Sequence, residues 1–135
     1  MSQKTLALII NSAAYDRVAY ALSIAAVSAA QFTQVHVLFT YGAIIRLTKD
    51  HTDTIGNETE SWLRTHVQKG RESKTIPLIS EMISHLKDFG GKIYACTAAM
   101  ALHKISQEDL IDEVDDALGI ASFLQRTESA DLVYI

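Results

Sequence analysis

GGKIYACTAAM, Gly90 to Met100, decides how the rest of the chain reads. Two glycines break whatever helix precedes them. Lys92–Ala95 then alternate as a strand does, and the small residues after Cys96 suit the start of a helix. A strand that runs directly into a helix is the building unit of a parallel α/β sheet. The same reading sets Cys96, the only cysteine, at the carboxyl end of a strand. There it is either core filling or a thiol available for chemistry.

Upstream, Thr5–Asn11 (TLALIIN) is a nearly continuous apolar run and reads as a strand buried on both faces. Asn11 and Ser12 close it with turn and N-cap chemistry. The alanine-rich Tyr15–Ala30 is a predicted helix whose small side chains let it lie close to a sheet. Gln34–Phe39 is a second strand, with His36 on one of its faces, and Tyr41–Leu47 begins a short helix. Asn57 and Glu60 have capping-box spacing. They precede a helical face of Trp62, Leu63, His66 and Val67 that Gly70 can end. A further amphipathic helix starts near Thr75, with Pro77 in its first turn and Leu78, Ile79, Met82, Ile83 and Leu86 facing inward. Gly90 and Gly91 stop it.

Downstream, a short strand is expected around Ile111–Val114. A helix is expected over Ala117–Arg126, with Ile120, Phe123 and Leu124 inward, and a last strand over Leu132–Ile135. The expected fold is a single-domain α/β three-layer sandwich with a mostly parallel sheet of about five strands and right-handed crossovers.

At 135 residues one core needs no metal or disulfide to hold it. The net charge of −4 argues against a nucleic-acid surface. No apolar run reaches the length of a membrane span, and the first residues lack the pattern of a secretory leader. With one cysteine, this points to a cytoplasmic protein.

In such a sheet, ligands and reactive groups collect at the carboxyl ends of the strands. Cys96 sits at one of them, and a helix opening at Thr97 favours its thiolate form. Ala99 excludes a C-x-x-C pair, and Leu102 stands where a phosphatase loop needs arginine. One cysteine without paired histidines argues against zinc. No cofactor is expected. Asn11, Ser12, Tyr41 and Thr97 are the candidates to line a ligand pocket beside Cys96. No glycine-rich phosphate loop follows the first strand, which weakens a nucleotide reading. His103 is either a neighbour of Cys96 or a surface residue. The acidic stretch Glu108–Asp116 is either a cation or partner site or a solvated face.

KIYACTAAMALHKISQEDLID (Lys92–Asp112), with GIASFL (Gly119–Leu124), ADLVYI (Ala130–Ile135) and LFTYGA (Leu38–Ala43), resembles the DsrE/DsrF-like sulfur-relay family. So does the helix from Pro77 through Glu81 that leads into Cys96. The resemblance implies a flavodoxin-like fold assembled as a homotrimer or homohexamer. It further implies a sulfurtransferase-type role, in which Cys96 carries sulfur as a persulfide or thiosulfonate between sulfur-donor and sulfur-acceptor proteins. The apolar LVYI is a second reason to expect assembly. The alternative is a noncatalytic ligand-binding or structural subunit on the same fold.

Overall fold

The computed structural model describes residues 3–135. Five strands form one sheet: β1 (Thr5–Ile10), β2 (Gln34–Phe39), β3 (Lys92–Cys96), β4 (Asp116–Leu118) and β5 (Asp131–Tyr134). Their order is β4-β3-β2-β1-β5, and every neighbouring pair is parallel. The helices are α1 (Tyr15–Ala30), α2 (Ser61–Glu72), α3 (Ile79–Asp88), α4 (Thr97–Leu102) and α5 (Ile120–Arg126), with a 3₁₀ segment at Tyr41–Leu47. The expected α/β sandwich with a parallel five-stranded sheet is therefore the fold observed.

Register explains why the central strands are apolar throughout. Leu8, Val37 and Ile93 stand abreast on one face and are fully buried. Ile9, Leu38 and Tyr94 stand abreast on the other and are also covered. The crossovers β1→β2→β3→β4 step in one direction, so right-handed connections put α1, α3 and α4 on one face. The return from β4 to β5 puts α5 on the opposite face, where Phe123 meets Tyr94 edge-on at 5.9 Å.

On α1 the buried positions include Ala21, Ala25 and Ala29, which bring the helix close to the sheet. Ile79, Met82, Ile83 and Leu86 of α3 pack in the same layer. Gly90, at φ +85°, makes the left-handed turn that ends α3. At Gly91 a Cβ would lie 2.3 Å from Leu86 Cδ1, so only glycine fits between α3 and β3.

Several expectations are corrected. The fourth strand is Asp116–Leu118, not Ile111–Val114: pairing with β3 starts only at the Asp115 N–H, which donates to the Ile93 carbonyl at 2.8 Å. Ile111 instead donates to the Leu47 carbonyl, tying this segment to the 3₁₀ turn. Because Ala117 and Leu118 are strand, α5 opens after Gly119, and of its expected inward residues only Phe123 is buried. Ile120 and Leu124 are exposed.

Helix α2 buries Val67 alone, leaves Trp62 and His66 exposed, and runs past Gly70 to Glu72. No Asn57–Glu60 box forms, because Glu60 is itself the N-cap and its carboxylate accepts from the Trp62 indole. Helix α3 opens at Ile79, leaving Pro77 ahead of the first turn. Among the described residues no helix is long and apolar enough to cross a membrane.

Candidate functional site at the carboxyl ends of the strands

Adjacent strands β3 and β4 feed helices on opposite faces, α4 and α5. Their carboxyl ends are therefore a switch point of the sheet, the place where such folds open a crevice. Cys96 is the last residue of β3 and the N-cap of α4, and Leu118 is its partner across the ladder. Gly119 opens α5 so close by that a Cβ on it would touch Thr97 Oγ1 at 3.6 Å. No side chain caps the start of either helix. Cys96 is a free cysteine, only 5% exposed, whereas Thr97 beside it is exposed.

The other candidates lie along the same row of strand ends, and the side chains of Asn11 and Ser12 are already engaged. Asn11 donates its side-chain N–H to the Tyr134 hydroxyl and its backbone N–H to the Ile135 carbonyl. Ser12 Oγ accepts from Ala14 N–H at 3.1 Å, closing the turn into α1, but the N-cap is Ala14 rather than Asn11 or Ser12, and it makes no side-chain cap bond. Tyr41 is 64% exposed and takes the left-handed conformation, φ +45°. Asn11 and Ser12 thus serve the β1–α1 turn and the β5 junction, while Thr97 stands beside the sulfur.

His36 is a strand-face residue. Its Nδ1 lies 2.8 Å from the Tyr94 hydroxyl, and the two rings stack. Burial, then Lys92 and Arg126, hold its pKa below the ordinary value. Burial likewise raises that of Tyr94. His103 follows α4 and lines, with His51, a cavity of about 380 Å³ that Cys96 does not line. Within the acidic stretch three carboxylates have structural roles: Asp109 accepts from Ser106, Asp115 from Lys87 and the Ile93 N–H, and Asp116 from Arg126. Among the described residues no three His, Cys, Asp or Glu side chains are grouped to hold a metal ion.

The sequence reading missed Arg46, which is fully buried. It donates to the Ala13 carbonyl at 3.0 and 2.8 Å, to the Thr54 carbonyl at 2.5 Å and to the Glu58 carboxylate at 2.8 Å. Its guanidinium also lies over the Tyr15 ring at 5.5 Å. Thr59 Oγ1 then accepts the first N–H of α1, from Tyr15, at 3.0 Å. The polar segment 48–60 is thereby sewn to the turn that follows β1. The one available signal was a lone charge inside the apolar run YGAIIRL.

A profile of the DsrE/DsrF/DrsH-like family matches residues 57–135. No curated protein sequence matches the chain. Among solved structures it is similar to the MTH1491 protein of Methanobacterium thermoautotrophicum, at 17% identity and a TM-score of 0.70, covering 98% of this chain and 100% of that one. It is equally similar to the ychN protein of E. coli, at 16% identity and a TM-score of 0.70, covering 99% and 100%. At these identities the likeness is one of fold.

Proposed function

Since the chain belongs to the DsrE/DsrF/DrsH-like family, we propose that it is a sulfur carrier that holds sulfur on Cys96 and passes it to a partner's thiol. The observation that carries this reading is the position of the sole cysteine, at the end of β3 where the crossovers diverge. The thiolate of Cys96 attacks the terminal sulfur of a donor persulfide. A new S–S bond forms on Cys96, the donor's S–S bond breaks, and the donor leaves as a thiolate. An acceptor thiolate repeats the exchange in the opposite sense and restores Cys96, with no net oxidation. No second cysteine exists to take the sulfur within the chain, so release requires another molecule. Because Cys96 is 5% exposed, exchange also requires local opening around it.

Intact mass after treatment with polysulfide and removal of the excess tests this reading. Added sulfur that reductant removes, and that Cys96→Ala lacks, is the expected result. If wild type stays unmodified while a known carrier in the same tube gains sulfur, the carrier reading fails. The near-complete burial of Cys96 favours the second reading, a noncatalytic ligand-binding or structural subunit.

The proposal includes assembly as a homotrimer or homohexamer. Ile120, Leu124, Leu132 and Tyr134 support it, being exposed apolar residues of α5 and of the outer strand β5. Light scattering that returns the monomer mass at micromolar concentration counts against it.

A further inference from the structure

A groove of about 950 Å³ lies between α2 and the start of α3, and Cys96 is not among the residues that line it. Its size is that of sites for small organic molecules. We propose that it binds an organic anion with an apolar body, whose charged end is held by Arg71.

Arg71 is fixed in place but not used up. Its guanidinium carbon lies 5.4 Å from the centre of the Tyr15 ring, and its Nη1 donates to the Asp53 carbonyl. Tyr15 is itself immobilised, fully buried with its hydroxyl donating to the Pro77 carbonyl at 2.9 Å. A guanidinium has five N–H donors, and one of them is spent here. Among the described residues the ion pairs belong to Arg46, Lys87, Lys92 and Arg126, and none to Arg71. A pre-positioned cation with unspent donors loses little entropy on binding an anion.

Two of the three carboxylates along the groove, Asp53 and Glu81, accept hydrogen bonds at the start of α3. Asp53 accepts from the Ser80 N–H at 2.9 Å and from the Ser80 hydroxyl at 2.6 Å. Glu81 accepts from the Leu78 N–H at 3.4 Å. Both sit at the start of the ten-residue helix α3, whose dipole offsets their charge. Glu72 and Lys74, both exposed, add one charge of each sign to the lining. Ile55, Ile76, Pro77 and Leu78 supply an apolar wall. An ammonium ligand would meet Arg71, and a wholly apolar one would strand its donors. A carboxylate, sulfonate or phosphate monoester on a short carbon chain satisfies both the cation and the wall.

Titration of ¹⁵N-labelled protein with octanoate, and separately with 1-octanol, tests the proposal. Octanoate is expected to give saturable shifts at the amides of Arg71, Ile76 and Leu78. Binding is expected to weaken by about tenfold or more for octanol and for Arg71→Met. Cys96→Ala binds octanoate as wild type does, so the outcome is independent of the sulfur reading. No saturation in the millimolar range, shifts centred elsewhere, or equal binding by Arg71→Met overturns the proposal. If Arg71→Met does not fold, the comparison of octanoate with octanol on wild type decides. Octanol binding as tightly as octanoate then overturns it.

Discussion

The two sides of the sheet carry the same chemical triad in different surroundings. On the α1 side Arg46 lies 5.5 Å from the Tyr15 ring and pairs with Glu58 at 2.8 Å. On the α5 side Arg126 lies 5.5 Å from the Tyr94 ring and pairs with Asp116 at 3.0 Å. The geometry is nearly identical, but the exposure is not. Arg46 is fully buried and its carboxylate is 17% exposed, whereas both partners of the second pair are 48% exposed. A buried charge must have every donor answered, because water cannot answer it. Arg46 therefore gathers backbone carbonyls from two segments, Ala13 and residues 51–54, and Arg126 gathers none.

Removing the buried cation tests that difference most severely. Arg46→Met should cost about 3 kcal/mol in urea unfolding, since it leaves Glu58 and several carbonyls without their partner. Adding Glu58→Gln should recover part of that loss. Recovery would separate the cost of a stranded carboxylate from the cost of unanswered carbonyls. A loss too small to measure would mean that the segment 48–60 holds itself in place.

A smaller effect is expected at His36, beside the second triad. Its folded pKa lies below the ordinary 6.5, with burial the leading cause and Lys92 and Arg126 adding to it against Asp115. The folded state thus binds the proton less readily than the unfolded one. The stability this supplies is complete above about pH 6.5 and is lost as pH falls through the lower folded value. A ring-proton titration should place the His36 midpoint below 6.5. In His36→Phe the fall in stability across that window should flatten, and a midpoint above 6.5 would refute the assignment.

Least of all is expected from Arg126→Met. Its pair with Asp116 is solvated and screened, so the unfolding midpoint should stay within error of wild type. A loss as large as that of Arg46→Met would show that exposure does not govern the contrast between the two centres.

What the sequence disclosed follows the same division between local and distant causes. β1, β2 and β3 and helices α1 and α3 were legible because each element's own residues set its period, although the first N–H of α1 is answered from Thr59, 44 residues away. Gly90 and Gly91 marked the α3–β3 junction, and the place of Cys96 came with it. β4 was misplaced because Asp116–Leu118 becomes a strand only by pairing with Tyr94–Cys96. Without that pairing, the residues from Ala117 onward read as helix, and that reading turns Ile120 and Leu124 inward with Phe123. The burial of Cys96 was also hidden, because it depends on tertiary packing around the end of β3 rather than on the residues that flank it in sequence. Arg46 was unreadable for the same reason: its acceptors include Ala13, which lies 33 residues away.

The pairing of β1 with β5 has a consequence for the order of folding. β1 lies inside the sheet, yet one of its neighbours is the last strand of the chain, with Leu6 abreast of Asp131. Three strands and α1 can assemble before that neighbour arrives, and meanwhile one side of β1 is an open row of backbone donors and acceptors. Closing a loop this long comes late because its entropy is repaid only at the end. In refolding followed by pulsed hydrogen exchange, the amides of Asn11 and Ile135, which bond across that junction, should gain protection after those that join β1 to β2.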